Sequence, residues 1–207
     1  MTRIKICGLT NAEDAQAAAD MGADALGFIA VPGGPRYLPP ETYMEISQSL
    51  PLFVKRVVVA RRPEDAGEYL AECVQHYDET QDKVHFRRGA QWRIRAFRVR
   101  DAASLQEIAD YPHAVGAMLL DTYHGETLGG AGVTFNWELA RHAKTLTDRP
   151  LILAGGLTPD NVAEALDAVQ PYGVDVASGV ESAPGIKDHA KLRAFINAVR
   201  QWDLKQG

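Results

Sequence analysis

The chain has 207 residues, of which 46% are hydrophobic and 24% charged, with a formal charge of −5; this supplies the apolar surface for a core and is the wrong composition for a disordered polypeptide. Acidic and basic residues are interspersed and Arg87-Arg88 is only a small local cluster, so no nucleic-acid partner is expected. Two cysteines make a disulfide framework improbable and fit a reducing cytoplasm, and neither a signal-peptide core nor a membrane-length apolar run is present, so no membrane partner is expected either.

In chain order, short apolar or β-branched runs alternate with helical patterns. Strands are expected at Ile4 to Cys7, Ala25 to Ile29, Phe53 to Val59, Lys83 to Phe86, Trp92 to Val99, Val115 to Leu120, Leu151 to Ala154 and Val174 to Ala177. Helices are expected at Ala12 to Met21, Glu41 to Leu50, Pro63 to Tyr77, Ala102 to Ala109, Trp137 to Leu146, Pro159 to Val169 and Lys187 to Trp202. Asn11 before Glu13-Asp14, and Thr158 before Pro159, supply local helix-start signals. Eight strands with crossover helices predict a parallel closed barrel, a single (β/α)8 domain over residues 1–207 without an internal linker. Only Arg87 to Gln91 separates the fourth and fifth strands, too short for a crossover helix, so helix four is expected to be lost or shortened unless the fourth strand lies elsewhere.

Strand alternation places Lys5 and Cys7 on one face and Ile4 and Ile6 on the other. Asp175 has the inward parity in the last strand, which neighbours the first when the barrel closes, and a Lys5–Asp175 pair inside the barrel follows. Such a pair reads either as structural compensation of two buried charges or as a source of charge beside Cys7. Cys7 itself reads as a small buried hydrophobe or, because it ends a barrel strand just before Gly8, as a reactive thiol. A base role would require nearby positive charge, since an ordinary thiol pKa near ~8.5 leaves little thiolate at neutral pH. Lys5 is the first candidate for that charge. Cys73, within a helical run, reads as packing.

Asp121 ends an apolar strand and opens the glycine-rich stretch Gly125 to Gly132. It is either the start of a turn or an acid–base group that loop closure would desolvate. Gly155-Gly156 follow the seventh strand, and Ser178-Gly179 the eighth. Together they predict a phosphate site, since those two loops of an eight-stranded barrel commonly bind phosphate through backbone N–H groups. Arg36, in the loop after the second strand, is either a solvated side chain or a bidentate clamp for a carboxylate. The six histidines show no ligand spacing, so no metal site is expected.

These motifs resemble, in order and over nearly the whole chain, the phosphoribosylanthranilate isomerase family. The residues carrying the resemblance are Lys5 to Thr10, Gly34 to Tyr37, Leu119-Leu120-Asp121, Gly129 to Gly132 with Phe135-Asn136-Trp137, Leu153 to Asn161, Asp175 to Glu181, and Pro184 to Asp188. The resemblance implies a cofactor-free Amadori rearrangement in tryptophan biosynthesis, acting on a small phosphosugar. It implies Asp121 as general acid, Cys7 as general base, Arg36 on the anthranilate carboxylate, and Gly155, Gly156, Ser178 and Gly179 on the phosphate. The chain departs from the family pattern at Lys83-Val84-His85-Phe86, where Gln-Leu-His-Gly is usual, at Val57 to Ala60, and at Gly129 to Gly132, where Ala131 stands for a usual Thr.

Two other readings compete. A related aminoaldose isomerase of histidine synthesis would have a carboxylate where Cys7 stands, and a catalytically silent phosphate-binding protein would bind without turnover. The sequence sets no oligomeric state.

Overall fold

The computed structural model describes residues 1–78, 92–112, 115–122 and 136–207. Eight parallel strands form a closed barrel in sequence order: β1 (Arg3–Ile6), β2 (Ala25–Ile29), β3 (Lys55–Ala60), β4 (Cys73–His76), β5 (Trp92–Val99), β6 (Ala117–Thr122), β7 (Leu151–Leu153) and β8 (Gly173–Val176). The outer layer is made of α1 (Ala12–Asp20), α2 (Pro40–Ser49), α3 (Gln106–Ala109), α4 (Trp137–Thr145), α5 (Val162–Val169) and α6 (His189–Gln206). Ahead of α6 a short hairpin, β9 (Glu181–Ala183) and β10 (Ile186–Lys187), is inserted.

Alternation along the strands sorts the side chains as expected. Ile4 and Ile6 of β1, with Leu26 and Phe28 of β2, point outward and are buried against the helices. Each contributes about 1.5–3 kcal/mol by leaving water. A smaller apolar set, including Val57, Cys73, Ile94 and Leu119, fills the barrel interior. β1 pairs with β8 in a register that sets Lys5 opposite Asp175.

The local chemistry of the helix starts explains one agreement and one difference. Asn11 caps α1 by accepting from the Asp14 N–H at 2.8 Å. Thr158-Pro159, by contrast, opens a turn rather than a helix, and α5 begins at Val162. The Asn161 side chain causes this: it accepts from the Thr158 N–H at 2.8 Å and donates to the Gly156 carbonyl at 2.9 Å, holding residues 156–161 in a loop.

The fourth strand is the main correction. Pro63 to Tyr77 is not one helix: a 3₁₀ turn over Pro63–Tyr69 ends at Leu70 in the left-handed region (φ 48°), and β4 then runs over Cys73–His76. β4 pairs with both β3 and β5, so the barrel's fourth place is filled by Cys73–His76 and not by Lys83 to Phe86. The connection to β5 therefore starts after His76, which removes the argument from a five-residue gap. Residues 83–86, Arg87-Arg88, the expected shortening of helix four and the glycine-rich stretch 125–132 lie outside the described residues. No described helix is long and apolar enough to cross a membrane.

Candidate active site

The C-terminal ends of the strands surround a cavity of about 520 Å³. Cys7 and Asp121 line it, as does Arg36 from the loop after β2. Gly155 and Gly156 after β7, and Ser178 and Gly179 after β8, line it as well. These seven candidate site residues thus meet in one place.

Cys7 follows β1 directly and is 6% exposed. Its N–H donates to the Val176 carbonyl at 2.8 Å, and its own carbonyl accepts from Lys187 Nζ at 2.6 Å, fixing the strand end from both sides. Gly27 on β2 makes the space for the thiol: a β-carbon there would stand 2.8 Å from Sγ and 3.1 Å from Lys5 Nζ. Lys5 Nζ donates to Asp175 Oδ1 at 2.9 Å in a buried pair. Desolvation alone would lower the lysine pKa, but the Asp175 carboxylate outweighs it and the ammonium is held well above its usual range.

Burial, more than that pair, sets the state of the thiol. Burial pushes the Cys7 pKa up; Lys5 pulls it down, while Asp175 pushes it up again, and the net direction is upward. Lys5 does not make a resting thiolate, because its charge is already answered by Asp175.

Asp121 is the penultimate residue of β6, two residues beyond the apolar Leu119, and is 6% exposed. The Tyr77 hydroxyl donates to its Oδ2 at 3.1 Å. Arg98, the register partner of Asp121 on β5, lays its guanidinium over the Tyr77 ring at 4.8 Å. Burial raises the Tyr77 pKa well above the phenol value, and the charges of Asp121, Cys7 and Asp175 act in the same direction.

Arg36 is more constrained than a solvated loop arginine. Its Nε and Nη2 donate to Glu181 Oε1 and Oε2 at 2.8 and 2.6 Å, a bidentate pair with a buried carboxylate. Glu181 also accepts from Lys187 Nζ at 3.0 Å. Burial would raise the Glu181 pKa, but Arg36 and Lys187 hold it below the usual carboxylate range. Lys187 is fully satisfied, with Cys7, Ala177 and Glu181 each accepting from its ammonium. Burial lowers the Lys187 pKa and Glu181 opposes that; with both basic groups protonated, one carboxylate between two cations leaves this buried triad with one positive charge at the cavity wall. Gly8 (φ 74°) lets the arginine stem pass, since a β-carbon there would lie 2.7 Å from Arg36 Cδ.

The two glycine loops lean on each other. A β-carbon on Gly179 would collide with the Leu157 carbonyl, so only glycine permits this approach. Among the described residues no cluster of metal-ligating side chains occurs.

Glu181 and Lys187 belong to the motifs read from the sequence, but their roles were not visible there, because ion pairs between a loop and a hairpin leave no local pattern. Tyr77 and Gln75 were placed in a helix by the misread fourth strand. β4 itself ends in Gln75-His76, in place of the segment Lys83 to Phe86 compared with the family's Gln-Leu-His-Gly.

A family model described as N-(5'phosphoribosyl)anthranilate (PRA) isomerase matches residues 4–198. The N-(5'-phosphoribosyl)anthranilate isomerase of Geobacter metallireducens is 48% identical over 208 residues, covering 97% of this chain and 100% of the relative. The crystal structure of phosphoribosyl anthranilate isomerase from Thermotoga maritima is similar with a TM-score of 0.84 at 36% identity, covering 97% of this chain and 100% of that one. A further structure, with a TM-score of 0.80 at 35% identity and coverage of 97% and 100%, is of phosphoribosyl anthranilate isomerase in complex with reduced 1-(o-carboxyphenylamino)-1-deoxyribulose 5-phosphate.

Proposed function

The chain belongs to the N-(5′-phosphoribosyl)anthranilate isomerase family, a family of tryptophan biosynthesis, and from that premise we propose how its residues carry out the Amadori rearrangement. The substrate, N-(5-phosphoribosyl)anthranilate, becomes 1-(2-carboxyphenylamino)-1-deoxyribulose 5-phosphate. Asp121 gives its proton to the furanose ring oxygen. The bond from that oxygen to C1′ breaks, and the nitrogen lone pair forms the Schiff base. Cys7 then removes the C2′ proton in its thiolate form, the fraction of the side chain that is deprotonated, and becomes the thiol. The electron pair moves into the C1′–C2′ bond and the C=N pair returns to nitrogen, giving an enaminol that ketonises to product.

Binding is divided between the ends of the cavity. The backbone of Gly155, Gly156 and Gly179, with Ser178, holds the phosphate. Arg36 holds the anthranilate carboxylate: with Nε and Nη2 committed to Glu181, its Nη1 has no partner among the described residues and is the donor to offer. The single surplus positive charge of the Arg36–Glu181–Lys187 triad suits one carboxylate. Val31, Pro32 and Val59 line the cavity wall and suit an aromatic ring. One barrel domain supports all of this, and we place the protein in the cytoplasm, consistent with its two buried free thiols.

The observation that carries the reading is that Cys7, Asp121 and the two glycine loops all open into one cavity. A crystal structure with the reduced product analogue tests it. Cys7 Sγ and Asp121 should lie on opposite sides of the sugar chain, with the phosphate against Gly156 and Gly179. An analogue bound with both side chains on one side, or outside this cavity, would contradict it.

A further inference from the structure

Lys187, the last residue of the β9–β10 hairpin, has a fully buried side chain and is not among the described residues lining the cavity. Its ammonium donates to three acceptors that belong to three different parts of the site. Cys7, one residue beyond β1, offers its carbonyl at 2.6 Å; Ala177, one residue beyond β8 and directly before Ser178, offers its own at 3.2 Å; and Glu181 Oε1 lies at 3.0 Å. Three acceptors exhaust the three N–H donors. The backbone end of the lysine is fixed as well, because its N–H donates to Oδ2 of the buried Asp14 on α1 at 2.8 Å. Glu181 does not need this second cation, since Arg36 already meets both of its oxygens. Burying a further positive charge carries a desolvation cost that the pairing of Glu181 alone leaves unexplained.

We propose that Lys187 is a positioning residue for the rearrangement, joining the thiol at Cys7, the loop that opens the phosphate site and the carboxylate that aims Arg36 into one rigid unit. The lysine touches no substrate and acts through the residues it holds. Beyond the β1 ladder the chain turns at Gly8 (φ 74°), and the ammonium holds the Cys7 carbonyl at the point where the strand ends. A reacting group displaced by about 1 Å can lose on the order of a hundred-fold in rate. Holding the Cys7 and Ala177 carbonyls on one ammonium sets the base at a fixed place relative to the phosphate loop, while Glu181 sets the direction of Arg36. A substrate gripped by its phosphate at one end and its carboxylate at the other then meets the thiol at C2′. The inference rests on the isomerase reading above and deepens it.

Lys187→Met keeps an unbranched stem and removes the ammonium. Two constants are measured on the folded protein, kcat for N-(5-phosphoribosyl)anthranilate and Kd for the reduced product analogue, in this variant, in Cys7→Ala and in the two combined. Lys187→Met should lower kcat by roughly ten- to hundred-fold and raise Kd on the order of ten-fold. Cys7→Ala should lower kcat and leave Kd nearly unchanged. In the double variant kcat should fall little below that of Cys7→Ala, because the lysine acts on kcat through the thiol, whereas Kd should rise as it does in Lys187→Met. A folded Lys187→Met in which either constant is unchanged overturns the proposal, whatever its melting temperature, and makes the lysine structural. Losses of kcat that multiply in the double variant overturn it too. If Lys187→Met does not fold, Lys187→Gln, which keeps two N–H donors without the charge, carries the same readings. If the wild type itself neither binds the analogue nor turns over substrate, the isomerase reading fails and takes this inference with it.

Discussion

The hydroxyl of Tyr77 donates to Oδ2 of Asp121 at 3.1 Å, tying the end of β4 to the end of β6. Burial keeps that phenol protonated, so it serves Oδ2 as a donor. The same hydrogen bond strengthens when the carboxyl ionises, so it stabilises what remains after the proton has been given away. Tyr77→Phe removes a donor from the ionised form. The titration of the Asp121 carboxyl, followed by carbon NMR and assigned with Asp121→Asn, should therefore move to higher pH. A titration that stays put or moves lower would contradict this role.

The Lys5–Asp175 pair is buried on both sides, and each charge depends on the other. Removing one partner strands the other in low dielectric. Asp175→Asn and Lys5→Met should each lower stability by about 3–5 kcal/mol in urea unfolding. The double change to Met and Leu should recover much of that loss, because no uncompensated charge remains. Two single-change losses that simply add in the double variant would show that the pair is not coupled.

Cys7 should behave as a thiol with a raised pKa. The reactive species is the thiolate, whose fraction grows with pH, so a raised pKa moves the alkylation profile to higher pH. Iodoacetamide labelling at Cys7, followed by mass spectrometry, should have its midpoint above the ordinary thiol value of about 8.5. Cys73, pushed up to about 11 by burial, should label still later. Lys5→Met should shift the Cys7 midpoint further up, because its partner Lys5 pulls it down. A Cys7 midpoint below neutrality would mean a resting thiolate and would overturn this reading.

Gly179 tests the phosphate end. Gly179→Ala sets a methyl group against the Leu157 carbonyl and forces the loops after β7 and β8 apart. The methyl meets backbone and not a flexible side chain, so the melting temperature should fall, and in the protein that remains folded KM should rise on the order of ten-fold or more. An unchanged KM would remove Gly179 from the phosphate site.

How much of this was legible beforehand depended on the range of the interaction. Strand parity in Lys5-Ile6-Cys7 was enough to pair Lys5 with Asp175, because barrel closure brings the last strand beside the first. Asn11 was a correct cap because its partner, Asp14, lies three residues away. The fourth strand was misread because Pro63 to Tyr77 has helical spacing while the strand itself is only Cys73–His76, and the break at Leu70 is a left-handed backbone with no glycine to announce it. That error hid Gln75 and Tyr77. Glu181 and Lys187 were hidden differently: their value comes from reaching Arg36 and the Cys7 carbonyl across the fold, and no local pattern records that.

The central claim is that one cavity holds an acid at Asp121 and a base at Cys7 serving a single rearrangement. The loss of anthranilate fluorescence on turnover of N-(5-phosphoribosyl)anthranilate measures it directly, in wild type, Cys7→Ala and Asp121→Asn. The wild type should consume substrate rapidly, and each variant should lose at least about a hundred-fold in kcat, in the range general acid–base catalysis contributes. Asp121→Asn should be the more damaging, since without a donor the ring does not open. Full turnover in both variants, or none in the wild type, would contradict the account.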